Sequence, residues 1–154
     1  MKTKLLIIAA LVANYGLLAP AFAEDGADIK VTASVINNCK IQKTGDINFG
    51  ALDPAAATDV SAQGAVVFSC TKNVDYKLTA DNGSHFDETS GKRRMLGGEK
   101  DYLPYALKED SFSGKGLGFS TPISVALNAN VLGTDYKDLP AQDYADVVHF
   151  ILLP

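Results

Sequence analysis

The chain has no tryptophan and only two histidines, two methionines and two cysteines among 154 residues. Each scarcity narrows the range of functions. Neither His85 nor His149 lies near a cysteine, and no Cys-x-x-Cys pair occurs, which removes the usual zinc and dithiol patterns. No serine sits in a Gly-x-Ser-x-Gly setting, so neither histidine has a nucleophile to activate, and no catalytic residue is assigned. His149 reads instead as a sheet residue with a satisfied ring nitrogen. Positive charge is also in short supply, with 14 Lys and Arg against 18 Asp and Glu for a net charge of −4, a balance that disfavours nucleic acid as a partner. Beyond residue 23 nothing approaches the roughly 20 apolar residues that a bilayer core demands. The same region offers no twelve-residue stretch of helical periodicity with caps at both ends.

What is present begins with an export signal. Lys2 and Lys4 precede an apolar run over residues 5–18 and then Ala21-Phe22-Ala23, the charged, apolar and small-x-small parts of a secretory leader over residues 1–23. Asn14, Gly16 and Pro20 interrupt that stretch and argue against a membrane anchor. Removal of the leader leaves 131 of the 154 residues, the size of one domain, and takes away two lysines, which lowers the net charge from −4 to −6. In the oxidising compartment beyond the inner membrane, Cys39 and Cys70 read as a disulfide closing a loop of about 30 residues.

Strand signals recur along the remainder. Residues 28–35 alternate with a period of two, placing Ile29, Val31, Ala33 and Val35 on one face and Lys30, Thr32 and Ser34 on the other. Extended pieces follow at 39–42 and at 46–52, the latter with a bend at Gly50, and Asp53-Pro54 opens a loop. Residues 64–71 and 75–80 read as two strands whose four-residue connection invites a hairpin. Short strands are expected at 94–96 and 102–108, the second demoted toward an edge or a bulge by Pro104. The glycine-rich residues 111–120 read as a mobile connection, residues 122–127 alternate, and 147–153 form a strand apolar on both faces, expected to be central in its sheet. The fold class is all-β, with six or seven strands in an immunoglobulin-like sandwich.

Other clusters carry bland readings. Asp81, Asp87 and Glu88 lack the alternate spacing of a calcium loop, so no metal ligands are assigned. Lys92 and Arg93 read as an exposed loop face. Gly114-Lys115-Gly116-Leu117-Gly118 is followed by extended chain rather than by the helix that a phosphate cradle requires, so no cofactor is assigned.

Taken in order, Cys39-x-Ile41, Ile47-x-Phe49-Gly50-x-Leu52-Asp53-Pro54, Gly64-x-Val66-x-Phe68-x-Cys70-Thr71, Tyr76-x-Leu78, Gly83, Arg94-Met95, Tyr102-Leu103-x-Tyr105-x-Leu107 and Tyr144-x-Asp146-x-Val148 resemble the spore coat protein U family, which includes Csu-type pilins of archaic chaperone-usher pili. The resemblance covers residues 39–154. It departs from the family at the missing tryptophan, whose place Phe112 takes, and at the unusually apolar tail. It implies a sandwich lacking its last strand, completed by donor-strand complementation: a neighbouring pilin subunit or a periplasmic chaperone lends an extended segment to the open edge. Residues 24–38 would be the donor extension, with Ile29, Val31, Ala33 and Val35 as its buried face. The alternative is that they form an ordinary first strand of their own domain.

Residues 147–153 would border the groove and meet the chaperone. Either Val148, Phe150 and Leu152 or Val147, Ile151 and Leu153 would face the donor or the core. An outer-membrane usher, passage through the periplasm to a surface pilus, and a role in adhesion and biofilm growth complete what the resemblance implies. The competing reading is a self-contained secreted or periplasmic β-sandwich, either a binding module or a spore-coat-like surface protein.

Overall fold

The computed structural model describes residues 25–154, so the expected leader, residues 1–23, lies outside the described residues. The chain divides into two units, Met1–Ala33 and Ser34–Pro154. In the first, residues 25–33 form neither strand nor helix and are exposed, Ile29 at 87 % and Val31 at 90 %. The strand expected at 28–35 is therefore absent from the described chain. Alternation prepares a face for burial, but a strand also needs a partner ladder for its backbone groups.

The second unit holds β1 (Cys39–Gly45), β2 (Val60–Cys70), β3 (Asp75–Ala80), β4 (Arg93–Gly97), β5 (Asp101–Leu107), β6 (Ser111–Lys115), β7 (Ile123–Val131), a four-residue helix α1 (Gly133–Tyr136), β8 (Tyr144–Ala145) and β9 (Phe150–Leu153). Six strands form one sheet in the order β1-β2-β7-β5-β4-β8, and three form the other in the order β6-β3-β9. Every pairing is antiparallel. The all-β expectation holds: two sheets and one disulfide give an immunoglobulin-like sandwich.

Alternation decides which side chains enter the core. In β2 the residues Val66, Phe68 and Cys70 point inward, and Leu127 joins them from β7. Leu78 of β3 meets them from the opposite sheet, and the Tyr76 ring stands edge-on to Phe68 at 4.9 Å between centroids. A second cluster around Leu103, Val131 and Tyr136 fills the far end. There the Tyr136 hydroxyl donates to the carbonyl of Thr58 at 2.7 Å, satisfying the polar tip of a buried ring. Gly64 allows close packing: a Cβ there would lie 2.6 Å from the Gly45 carbonyl oxygen and 2.7 Å from Cγ1 of Ile47.

Several expectations change. Residues 71–74 do not close a hairpin, because β2 and β3 belong to different sheets. Asn73, at φ 65°, donates its N–H to Gly116 at 2.8 Å, and the chain turns out of one layer into the other. Residues 111–115, read as part of a mobile connection, form β6 because β3 offers them a full ladder from Thr79↔Ser111 to Asp75↔Lys115. Residues 46–52 are extended in sequence character yet join no strand. Pro104 lies in an interior strand, but the β5–β7 ladder covers only Ala106 and Leu107, so the missing N–H costs no bond on that side. The last strand begins at Phe150 rather than at 147 and is an edge, not a centre. Its apolar outer residues Ile151 and Leu153 stay 53 % and 55 % exposed.

Candidate functional site: a groove between two open edges

The sandwich has one edge strand in each sheet at its open side, β1 and β9. Backbone alternation identifies the groups these edges leave free. Asp81 donates its N–H to the His149 carbonyl at 2.9 Å, which makes that pair hydrogen-bonded in the antiparallel register running through Ala80↔Phe150. The next bonded positions are then Ile151 and Leu153, facing β3. Val148, Phe150 and Leu152 consequently turn their N–H and C=O groups to the open edge. On the other side, Thr71 donates to the Asn38 carbonyl at 2.8 Å, so Cys39 and Ile41 hold the corresponding open positions in β1 up to the irregularity at 41–43.

Side chains largely follow the same alternation. Phe150 and Leu152 pack on the core cluster and Ile151 and Leu153 are exposed, while Val147, 56 % exposed, and Val148 both line the groove. Phe150 and Leu152 thus face the core, and Val147 and Val148, one from each of the two sets, border the groove. Where β1 ends and β9 begins lies a groove of about 270 Å³ lined by Ile47, Phe49, Met95, Leu107, Leu127 and Phe150. It shares Ile47, Phe49 and Met95 with a second cavity of about 560 Å³, which extends under residues 47–54 and 139–144 and is lined by Leu52, Leu139 and Tyr144.

The segment leading into β9 is held by a cluster of side chains that sequence reading did not single out as such. One Asp81 carboxylate oxygen accepts from the Gly83 N–H at 2.9 Å and the His149 N–H at 2.9 Å. Partial burial opposes ionisation of Asp81, but these two N–H donors and the nearby charges of His149 and Arg93 hold its carboxyl below the usual range. Arg93 places Nε and Nη2 on the Asp81 carbonyl at 3.1 and 2.6 Å. Ser84 donates its N–H to Val147 at 3.0 Å. Asp146, whose side chain is only 3 % exposed, binds His85 Nδ1 at 2.9 Å and accepts from the Tyr105 hydroxyl at 2.7 Å. Burial first, and then the Asp146 carboxylate, push the Tyr105 phenol far above its ordinary range. Gly83, at φ 81°, leaves room for Asp146, which a Cβ would strike. The sequence signal for this cluster is the Asp81-Asn82-Gly83 turn, which brings an aspartate back onto the backbone two residues on.

The remaining sites fall as follows. Cys39 and Cys70 form the expected disulfide. Beside it, the Thr71 hydroxyl accepts from the Asn38 N–H at 3.1 Å and lies 3.2 Å from the Ile36 carbonyl. Lys92 is exposed, but Arg93 belongs to β4 with a side chain only 11 % exposed, which corrects its reading as a loop face. His149 is exposed, and it is its backbone that is bonded, the N–H to the Asp81 carboxylate and the carbonyl to the Asp81 N–H. Asp87 receives the Ser90 hydroxyl at 2.8 Å and faces Arg94 at 3.5 Å, while Arg94 stacks on the Tyr102 ring at 4.1 Å.

Comparison with known proteins agrees with the fold. No curated protein matches the chain. Among solved structures, the chain is similar to one from a crystal structure of the CsuC–CsuE chaperone–tip adhesion subunit pre-assembly complex from the archaic chaperone-usher Csu pili of Acinetobacter baumannii, with TM-score 0.55 and 19 % identity. That match covers 77 % of this chain and 40 % of the other, so this chain spans well under half of the length it matches. The family model for the Spore Coat Protein U domain matches residues 26–150, and the chain therefore belongs to the spore coat protein U domain family.

Proposed function

We propose that this chain is a structural pilin subunit, not an enzyme, that polymerises by inserting the Ile29 to Val35 face of its extension, residues 24–38, into the groove of the next copy. The observation carrying this reading is a match of two unsatisfied features. One is an apolar groove lined by Ile47, Phe49, Leu107, Val148 and Phe150, which lies where the open edge strand β1 ends and the open edge strand β9 begins. The other is an exposed extension whose apolar residues recur at every second position, Ile29, Val31, Ala33 and Val35. An open edge beside apolar side chains is an aggregation hazard unless another strand covers it. Burial of Ile29, Val31 and Val35 contributes about 1.5 to 3 kcal/mol each before ordering costs, and backbone pairing adds to that.

The same free edge suits a periplasmic chaperone during transit, and an outer-membrane usher would then deliver subunits to a surface pilus serving adhesion and biofilm growth. The relative in the Csu complex is described together with a chaperone, which supports this route. A self-contained module is less consistent with Ile29 and Val31 standing 87 % and 90 % exposed.

The test compares the protein with a variant lacking residues 24–36, on gels run with and without boiling. The intact protein should form a heat-sensitive ladder of multimers and the truncated one should not. A synthetic peptide of residues 25–38 should slow hydrogen exchange at the amides of Val148, Phe150 and Leu152. An intact protein that runs as a single monomer, with those amides already protected, would overturn the reading.

A further inference from the structure

We propose that consecutive copies also touch body to body, with the apolar knobs Leu117 and Phe119 of one copy seated in the cavity under residues 47–54 and 139–144 of the copy that accepts its extension. This rests on the donor-strand reading and adds a second interface to it. The argument starts at the root of the extension. Cys39 is tied to Cys70, and the Thr71 hydroxyl binds the Asn38 N–H at 3.1 Å and lies 3.2 Å from the Ile36 carbonyl. Val35 is the last residue of the donor face, and its immediate neighbour Ile36 is already held on its own body. Since one residue of extended chain advances about 3.4 Å, no free tether separates the two bodies. They must meet.

Strand polarity selects the surfaces. The β9 edge offers three successive open residues, whereas the β1 edge is interrupted after Ile41, so the donor gains most by running antiparallel to β9. In that direction Val35 emerges beside Val148, where the groove continues into the 560 Å³ cavity through Ile47, Phe49 and Met95. The donating body arrives there with its Thr71 end. Around that end Gly118 donates to the Cys70 carbonyl at 3.0 Å, which fixes Leu117 and Phe119, 53 % and 47 % exposed, beside the root, next to exposed Lys72. Exposed Asp143 lines the accepting cavity, and exposed Asp53 sits in the chain between its lining residues Leu52 and Pro54. Apolar knobs with a cation thus face a cavity of mixed lining, Leu52 and Leu139 beside Asn48 and Gln142, with two carboxylates nearby. Because the two patches lie near opposite ends of β2, about 34 Å apart, the contact is head to tail and propagates as a fibre instead of closing.

Zero-length carbodiimide cross-linking of multimers of the unmodified protein, read by mass spectrometry, tests the contact. A Lys72–Asp143 or Lys72–Asp53 link confined to multimer bands is expected. Multimers without such a link would overturn the inference while leaving the donor-strand reading intact. A protein that forms no multimers at all would sink both. As a second measurement, L117S/F119S multimers should dissociate at least several-fold faster on warming than the unsubstituted ones, and equal rates would count against the seat.

Discussion

Val31→Asp separates the stability of the body from the strength of the joint. Val31 is 90 % exposed, so replacing it should change the unfolding free energy of the body by no more than about 0.5 kcal/mol. In the groove of a second copy the same position would be surrounded by side chains such as Ile47, Phe49, Leu107 and Phe150. The variant loses about 1.5 to 3 kcal/mol of Val burial, and an unpaired carboxylate there costs at least about 2 kcal/mol more. A total near 4 kcal/mol corresponds to roughly a thousandfold in affinity, at about 1.4 kcal/mol per tenfold. The assay titrates peptides of residues 25–38, with Val or Asp at position 31, into the chain lacking residues 24–36, and compares thermal melts of the two full-length proteins. Binding that differs by less than threefold would refute the assignment of Val31 to the buried face, and so would full-length multimers whose melting temperature the substitution leaves unchanged, because loss of a bound donor lowers it by mass action.

Replacing both cysteines by serine should lower stability by about 3 to 4 kcal/mol in urea titrations, since the pair closes a loop with a separation of 31 residues. Asp81 supplies a pH dependence. Its carboxyl is held low in the folded protein, so the stability it contributes is present at neutral pH and is lost as pH falls through the folded value, below the ordinary carboxylate range near 3.9. Between pH 5 and pH 2 the urea midpoint of the unsubstituted protein should fall further than that of Asp81→Asn, and parallel curves would show that the carboxylate contributes nothing to folding. Ala57 adopts φ 45°, a left-handed conformation that glycine enters without its Cβ penalty. Ala57→Gly should therefore raise stability by up to about 1 kcal/mol, and a loss measured in the same titration would mean that the Ala57 methyl packs more usefully than its backbone is strained.

The sequence by itself determined the all-β class, the disulfide and the places of several strands of the body, because a period of two and an oxidising compartment are local or compositional properties, whereas the runs at 28–35 and 46–52 have the pattern but no strand. The run at 75–80 coincides with β3, and the run at 64–71 falls largely within β2. What tertiary structure alone decided was the identity of the edges. Whether residues 71–74 close a hairpin or cross between layers depends on where Asn73 finds an acceptor, and that acceptor, Gly116, lies far along the chain. Likewise Val148, Phe150 and Leu152 turn their backbone groups to the open edge because Asp81, 68 residues before His149, pairs with the positions between them. A hydrogen bond points toward one neighbour only, and for residues of like polarity no local pattern says which neighbour it will be. The clasp of His85, Asp146 and Tyr105 and the root at Thr71 were hidden for the same reason, since each joins residues that only the folded sandwich brings together.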